Sequence, residues 1–410
     1  GLYFILNDKD KLTVSERNWV NQNIGTIQNI NVINNVNVFG KNGSGVFYDF
    51  ISDFETEYGL SINPITFNEG SNPSGISFGV KNIVDDNDIL FYTDHYVLVG
   101  KNNDYISTEE DLNGKNIDIL SKDLSYVSKY VKKASNVVFK QFENIDEIIL
   151  DMNENETYML VPLMEYLDTI LSKDYKVVYH FSDIKEYYVL SLSDDKLSSV
   201  LKKYYNKWNN EFDNVYNDNL FKTFTSAMNI TDTEVDSMQS ITYNYGFVNA
   251  SPYEVILGGK YGGIVAVYLS NFSKFADIEF NFNYYNFTDD FYQTDGISIE
   301  YVIAARRDNS TVIKSIYSLI GETVYVQENS KIYDYIKNIS DINIKTFSTT
   351  KDLFKLNKKD VFIILDKNTF DYYSDNKLDN YTGRYEDFIS NEYTFKVRTN
   401  SALYRLLDKY

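Results

Sequence analysis

An internal repeat limits the folds open to this chain more than any other feature of its sequence. The stretch LTVSERNWVNQN begins at Leu12, and the similar stretch ITDTEVDSMQS begins at Ile230, 218 residues later. In both, a Thr is followed three residues on by a Glu, which is the spacing of a capping box that opens a helix. One capping box is a weak signal, so a true repeat must extend beyond it.

The same offset holds through the next two segments. GKNGSGVFYDFISDF at Gly40 matches GGKYGGIVAVYLSNF at Gly258, and each is a glycine-rich turn followed by apolar residues at helical spacing. The alternating segment LSINPITF at Leu60 matches IEFNFNYY at Ile278. The sequence therefore predicts two copies of one order of elements.

The later part of each copy follows a common order too. DLNGKNIDIL at Asp111 matches SLIGETVYVQ at Ser318, at a shorter offset because the second copy has lost residues. The order is strand, glycine turn, helix and strand, then a two-way crossing, then strands and helices that alternate up to a closing helix. Such alternation predicts α/β units with parallel strands. The charged, asparagine-rich stretch from Asp213 to Asn219 is predicted to link the copies.

Composition excludes several classes of function. A chain of 410 residues with 43% apolar residues can form roughly two or three domains with cores of their own. The net charge is −20 and the lysines are scattered among acidic residues, which excludes the basic patch that a nucleic acid or an anionic membrane surface requires. The absence of cysteine excludes disulfides, thiolate metal sites and a cysteine nucleophile, and fits a bacterial surface protein.

Membrane and targeting signals are missing from the sequence. No apolar run approaches the roughly 18–20 residues of a membrane span. Gly1 opens the chain without a Met or a basic, apolar signal segment. We expect an excised soluble piece of a longer protein, on the extracellular side of the cell membrane, with membrane contact only through missing flanking segments.

The motifs LTVSERNW, SPYEVILGGKYGGIVAV and DLNGKNI resemble those of type II periplasmic binding proteins, the Venus flytrap modules of extracellular solute-binding family 3. Such modules occur in tandem in the extracellular sensor regions of bacterial membrane receptors. The resemblance implies an α/β fold with two tandem bilobal flytrap modules and a ligand in the cleft between two lobes. Clefts at strand C-terminal ends are where doubly wound sheets bind ligands.

The resemblance gives a domain plan for the whole chain. The first module is predicted at 1–215 and the second at 216–410. In the first module, lobe 1 is predicted at about 12–98 and 190–215, and lobe 2 at about 105–188. In the second module, lobe 1 is predicted at about 230–303 and 396–410, and lobe 2 at about 310–394.

The resemblance also implies ligand-contacting residues in the second copy. They are Tyr253, the loop residues Gln327, Asn329 and Ser330, and Asp366. An aromatic ring with an acid can bind a small cationic or amine-bearing ligand by ring contact and a charge-assisted hydrogen bond. The alternative is that the aromatic lies on a rim and the acid is a helix N-cap.

The first copy lacks both of these groups. Its equivalents are Asn35, the loop Leu120–Asp123, and Pro162, although Asp123 and Thr93 could suffice for a neutral polar ligand. Neither copy has the T-x-E-R phrase whose Arg binds an amino-acid carboxylate in this family. We expect ligand binding in the second copy, and the motifs do not favour an ordinary α-amino acid.

Other polar residues have simpler interpretations. His95 and His180 are 85 residues apart without further ligands at metal spacing, so each is interpreted as an ordinary, partly exposed residue. Arg306 and Arg307 are interpreted as a solvated hinge position, and the acids at 85–88 as a solvated turn. No nucleophile with a base and no paired carboxylates emerge, so we expect neither an enzyme nor a metal or cofactor site.

The function implied by the resemblance is that of an extracellular ligand-sensing region of a bacterial transmembrane signalling protein. A cyclic-dinucleotide enzyme or a histidine kinase would be its cytoplasmic output. The expected partner is a small-molecule ligand, with a homodimer as a candidate assembly and no nucleic acid. The alternatives are a solute-binding subunit of a transporter and a degenerate interaction module that binds no ligand.

Overall fold

The computed structural model of the chain describes residues 11–102, 104, 106–132, 136–247, 255–257, 260–284, 292–293, 297–393, 396–397 and 402–410. The chain divides into two compact units. The first unit is formed by the described residues of Gly1–Leu98, Leu160–Tyr175 and His180–Thr231. The second unit is formed by those of Val99–Met159, Lys176–Tyr179 and Asp232–Tyr410.

Helices occur along the whole described chain. The α-helices are α1 Val14–Asn23, α2 Val46–Tyr58, α3 Ser121–Val127, α4 Ile145–Glu154, α5 Leu167–Ser172, α6 Lys196–Trp208, α7 Phe212–Ala227, α8 Asp232–Gln239, α9 Ile264–Ala276, α10 Lys331–Ile336, α11 Thr350–Phe354, α12 Lys367–Tyr373 and α13 Ala402–Lys409. Short 3-10 helices are formed by Glu109–Leu112, Asn209–Glu211 and Ile316–Leu319.

Strands alternate with these helices. They are β1 Ile27–Ile33, β2 Ser61–Phe67, β3 Ser77–Lys81, β4 Asp88–Gly100, β5 Asn116–Leu120, β6 Val138–Phe142, β7 Tyr158–Pro162, β8 Lys176–Ser191, β9 Thr242–Phe247, β10 Val255–Leu257, β11 Lys260–Gly262, β12 Glu279–Tyr284, β13 Tyr292–Gln293, β14 Ile297–Arg306, β15 Thr323–Gln327, β16 Asn343–Phe347, β17 Val361–Asp366, β18 Tyr381–Tyr393 and β19 Lys396–Val397.

The first unit is built on strands in the order β2-β1-β3-β8-β4. β1 is parallel to β2 and β3, whereas β3 and β8 are antiparallel. Helix α2 packs its apolar face into the core, because Val46, Phe50, Ile51 and Phe54 recur at helical spacing and are all buried. The helical periodicity predicted for this segment is confirmed.

The second unit contains a five-stranded sheet in the order β16-β15-β17-β14-β18. β15 lies parallel to both β16 and β17, and β14 lies antiparallel to β17 and β18. One buried cluster includes Val324 and Phe362, and another includes Val302 and Ile363. Neighbouring strand residues alternate between the two clusters, as side chains do on the two faces of a sheet.

The two halves of the chain repeat the same local structures. β1 pairs in parallel with β2 as β9 does with β12, and β5 pairs in parallel with β6 as β15 does with β16. Gly45 and Gly263, matched in the repeat, both precede a helix with positive φ angles of 135° and 90°. Thr13 and Glu16 form the predicted capping box of α1. The α/β fold class predicted from the sequence is confirmed.

The stretch predicted as a linker, Asp213–Asn219, lies inside the continuous helix α7. Its apolar residues explain this, since Phe212, Tyr216 and Phe224 recur on one side of the helix. Helix α7 packs against α2 and α5 within the first unit. The predicted module ranges, 1–215 and 216–410, stay a prediction. Among the described residues, no helix is both long and apolar enough to cross a membrane.

Candidate functional site

Two of the predicted ligand residues lie at one edge of the five-stranded sheet. Gln327 ends β15 and Asp366 ends β17, and these strands are parallel neighbours in which Thr323 pairs with Val361. The carboxyl ends of parallel neighbours lie at the same edge, which is where α/β sheets bind ligands. The structure therefore places Gln327 and Asp366 at the same edge of this sheet.

The loop that follows β15 is folded tightly by its own polar side chains. The Ser330 hydroxyl donates to the Gln327 carbonyl oxygen at 2.7 Å and accepts from the Tyr333 backbone N–H at 3.2 Å, which caps α10. Asn329 adopts a left-handed conformation with φ 58°. Gln327 and Asn329 are both exposed, so this loop presents two amide groups to solvent.

Asp366 is the N-cap of helix α12. Its Oδ2 accepts a hydrogen bond from the Thr369 backbone N–H at 2.8 Å. This is the alternative role that the sequence left open for this acid. A carboxylate has more acceptor sites than one cap uses, so a half-buried Asp366 can cap the helix and still accept from a ligand amine. Tyr253, the aromatic predicted for the same site, lies outside the described residues.

In the first copy, the loop after Asn35 is joined by direct hydrogen bonds to the segment after Pro162. Asn37, two residues after Asn35, donates from Nδ2 to the Glu165 carbonyl oxygen at 2.8 Å and to Asp168 Oδ1 at 2.9 Å. Lys41 forms an ion pair with Asp168 Oδ2 at 2.8 Å. These three side chains were not among the predicted site residues, because the partners lie more than a hundred residues apart and no local pattern links them.

The charge of Asp168 is favoured by these two contacts. Burial alone would raise the pKa of the carboxyl group, but the bonds from Lys41 and Asn37 outweigh burial and lower its pKa. Asn37 is itself only 3% exposed, so losing its partners would leave a buried amide unsatisfied. The contact between the β1–α2 loop and α5 is therefore a paired, charge-assisted one.

Phe39 anchors the same loop in the core. Its ring is fully buried and stacks on Tyr188 at a centroid distance of 4.7 Å, with Tyr92 at 5.2 Å and Tyr216 at 6.1 Å. Tyr92 belongs to β4, Tyr188 to β8 and Tyr216 to α7. Aromatic side chains from two strands and a helix thus surround the Phe39 ring and hold this part of the loop in the core.

Asp49, which the second copy replaces by Val267, has a structural role. Its Oδ2 accepts from Asn219 Nδ2 at 2.8 Å, which ties α2 to α7. Val267 is 63% exposed. The acid at this position therefore stabilises the helix packing of the first unit.

The two histidines of the chain are partly exposed, as predicted, and they are also partners in a contact that the sequence did not predict. His95 Nε2 and His180 Nδ1 lie 3.1 Å apart, on β4 and β8. Burial lowers the pKa of His180 to about 4, with His95 as a second cause, and burial and Lys185 lower the pKa of His95. Burial also raises the pKa of the neighbouring Asp94 to about 7.

Because both histidines are neutral in the fold, their contribution to stability is present above about pH 6.5 and is lost as the pH falls toward 4. Between pH 7 and pH 5 we expect the wild-type chain to lose about 1–2 kcal/mol more unfolding free energy than His180→Gln. Asp94 titrates in the opposite sense, but it is present in both proteins and cancels. Urea unfolding at the two pH values measures this difference, and equal losses in both proteins would contradict it.

Arg306 and Arg307 are not brought together as an anion site. Arg306 donates to both carboxylate oxygens of Asp308, at 3.0 Å and 2.7 Å, and to the Asn357 carbonyl oxygen, while Arg307 is exposed. In the part of the chain that the structure describes, no group of three or more histidine or acidic residues could hold a metal ion.

Comparison with known proteins gives matches among solved structures only, since no family model and no curated protein matches the chain. The B. pertussis BvgS periplasmic domain is similar over 97% of this chain and 90% of its own, with 12% identity and a TM-score of 0.41. A structure described as VC protein is similar over 93% and 96%, with 9% identity and a TM-score of 0.42.

A third similar structure is matched by about half of the chain. AbpA from Streptococcus pneumoniae Canada MDR_19A, an amino acid ABC transporter substrate-binding protein bound to L-arginine, is similar over 52% of this chain and 99% of its own, with 12% identity and a TM-score of 0.35. These three structures are what the chain is similar to.

Proposed function

We propose that the chain is the extracellular ligand-sensing region of a bacterial transmembrane signalling protein, and that it binds a small solute in its second copy. The observation that carries this proposal is the common edge where β15 ends at Gln327 and β17 ends at Asp366, with Ser330 in the loop that follows β15. A histidine kinase or a cyclic-dinucleotide enzyme would supply the output. Modules at 1–215 and 216–410 belong to the same proposal.

The ligand class follows from the charges at this edge. Asp366 supplies a carboxylate, while Gln327 and Asn329 supply neutral amides. A carboxylate favours a cationic partner through a charge-assisted hydrogen bond, and amides bind either donors or acceptors. A small amine-bearing solute fits these groups, with the predicted Tyr253 as an additional aromatic contact.

The first copy would serve as a closed support and not as a second sensor. Asn37, Lys41 and Asp168 join the β1–α2 loop to α5 within the first unit without a ligand, and Phe39 of the same loop is buried. A flytrap responds to ligand when the ligand favours one of two states. Contacts that the first copy makes without a ligand favour one of its two states. The second copy is then the one whose state depends on the ligand.

A degenerate interaction module is the second candidate function. The bonds from Ser330 to Gln327 and from Thr369 to Asp366 favour it, because they satisfy part of the polar capacity of the edge internally. A solute-binding subunit of a transporter is the third candidate, and the tandem arrangement of the copies disfavours it.

Titration of the full chain with putrescine, a diamine, and with 1,4-butanediol, which has the same length but no charge, tests the proposal. We expect calorimetric binding of putrescine only. Asp366→Asn should weaken this binding by about 10–100-fold, because one charge-assisted bond is lost. Asparagine can still accept from the Thr369 N–H, so the thermal midpoint of Asp366→Asn should stay near that of the wild type.

Asp366→Ala is the matched variant that loses the charge and the cap together. It should bind as weakly as Asp366→Asn and also lose about 1 kcal/mol of stability. Absence of heat with putrescine and with longer and shorter diamines would favour the non-binding interaction module. Binding of putrescine that survives Asp366→Asn would reject this residue as the ligand group.

A further inference from the structure

The candidate site of the second copy stands at one end of helix α10, and the other end of this helix contacts the first copy. Ser330 caps the beginning of α10, and Tyr335 lies in its last turn. The helix has six residues, so its ends are roughly 9 Å apart at the usual helical rise. One short helix therefore connects the loop at the candidate site to this contact.

Two tyrosines of the second copy donate to one carboxylate oxygen of the first copy. The Tyr335 hydroxyl donates to Asp111 Oδ1, and the Tyr317 hydroxyl donates to the same oxygen at 2.7 Å. Burial and the neighbouring Asp111 raise the pKa of Tyr317 to about 12 and raise that of Tyr335 as well. Both hydroxyls therefore remain protonated donors at neutral pH.

The two tyrosines flank the strand and loop of the candidate site. Tyr317 belongs to the 3-10 helix Ile316–Leu319, which leads into β15, and β15 ends at Gln327. Tyr335 belongs to the helix that follows the same loop. The contact with Asp111 thus involves the elements on both sides of Gln327–Ser330.

Asp111 connects this contact to the local structure of the first copy. Its Oδ2 accepts from the backbone N–H groups of Ser107 at 2.9 Å and Thr108 at 3.0 Å, within the capping box of the 3-10 helix Glu109–Leu112. That helix precedes β5, the counterpart of β15. The repeat-matched residue Ser318 closes the equivalent capping box, but its single hydroxyl oxygen is used there. Only the aspartate has a second oxygen for the other copy.

We infer that Asp111 is a positioning residue that couples the ligand site of the second copy to the second lobe of the first copy. Charge-assisted hydrogen bonds are about twice as strong as neutral ones, so two of them on one oxygen make a strong connection. A ligand that reorders Gln327–Ser330 moves α10 and the Tyr335 hydroxyl, and so changes how Asp111 is bound. Coupling of this kind is reciprocal, so Asp111 also affects the order of the site. The role of the ligand rests on the proposed function, whereas the coupling itself does not.

Hydrogen–deuterium exchange of the full chain without ligand tests the coupling. Ser330→Ala removes the N-cap of α10 and should fray it. We expect amide exchange at residues 106–120 of the first copy to rise by about threefold or more. Thr349→Ala, which replaces the N-cap residue of helix α11, should leave 106–120 unchanged.

The response should depend on the two hydroxyls. In the background Tyr317→Phe with Tyr335→Phe, Ser330→Ala should no longer change exchange at 106–120. Tyr333→Phe, on the same helix but not bonded to Asp111, is the matched control and should preserve the response. The inference is overturned if 106–120 exchange equally in wild type and Ser330→Ala, or if the double phenylalanine background responds like the wild type.

Asp111→Asn is the alternative test of the Asp111 contact if the double phenylalanine variant does not fold. The asparagine oxygen can still accept from Ser107 and Thr108, so the capping box is kept, while the carboxylate oxygen that faces the tyrosines is replaced. We expect it to abolish the response to Ser330→Ala, and a full response would contradict the inference. No solute is added, so a failure of putrescine to bind leaves this result unaffected.

Discussion

Replacing Phe39 with alanine is expected to lower the unfolding free energy of the first unit by about 3–5 kcal/mol. The ring is fully buried and stacks on Tyr188 with an interplanar angle of 8°. Tyr92 and Tyr216 line the same space. They belong to β4 and α7, which other contacts of the first unit also hold in place. The cavity left by the truncation can therefore collapse only in part, which places the cost toward the upper end.

Tryptophan fluorescence during urea unfolding measures this cost for one unit only. Both tryptophans of the chain, Trp19 and Trp208, belong to the first unit, and Trp208 is 4% exposed. Phe272→Ala is the matched control, since Phe272 is equally buried but lies in the second unit. It should leave the tryptophan transition near that of the wild type. A Phe39→Ala transition that also matches the wild type would contradict the assigned role of this ring.

Loss of the Phe39 ring should also affect the function of the β1–α2 loop. Asn37 and Lys41 reach Asp168 only if the loop keeps its conformation, and Phe39 lies between them in sequence. Loss of the ring should therefore loosen the contact with α5 as well as the core. In the proposed sensor, this would turn the closed first copy into a second variable module.

Local chemistry explains why much of the fold is predictable from the sequence. Thr13 and Glu16 form a capping box from neighbouring groups alone, so their spacing is sufficient evidence for the start of α1. The apolar spacing of Val46, Phe50 and Phe54 likewise needs only the period of a helix. Repetition of such short signals in one order predicts two copies, since each signal is local and the order is not accidental.

The contacts of the candidate sites are predictable only in part, because they depend on tertiary structure. Asp366 follows a buried strand, so sequence reasoning could name both its possible roles, and the structure shows the cap directly. The partners Asn37 and Asp168 are separated by 131 residues, and the partners His95 and His180 by 85. No spacing rule connects such pairs, since their meeting is set by the pairing of strands far apart in the chain.

Helix α7 shows a second reason for a missed prediction. Charged and amide residues from Asp213 to Asn219 are typical of a linker, but Tyr216 stacks on Tyr92 and Asn219 bonds Asp49. A few well-placed contacts in the folded state outweigh the weak propensity of the surrounding residues. The same helix packs against α5, and so supports the contact that Asp168 makes.

Replacing Gly45 with alanine is expected to lower the unfolding free energy of the first unit by about 4 kcal/mol or more. Gly45 has φ 135°, which an L-residue rarely adopts, and a Cβ built there would lie 2.4 Å from the carbonyl carbon and oxygen of Phe39. Those are backbone atoms, so no side-chain rotation relieves the clash. The loop carbonyls of Val38 and Phe39 also accept the first N–H groups of α2, from Val46 at 2.8 Å and Phe47 at 3.0 Å.

Gly43→Ala, two residues earlier, is the matched control for Gly45→Ala. Gly43 has φ 76°, but a Cβ there would meet nothing within 4 Å, so only the conformational strain of roughly 1 kcal/mol is expected. Urea unfolding followed by tryptophan fluorescence should separate the two variants by about 2 kcal/mol or more. If Gly45→Ala loses no more stability than Gly43→Ala, the close approach of the loop to the start of α2 does not exist. In that case the fixed position of Asn37 and Lys41 opposite Asp168, which depends on it, also has to be abandoned.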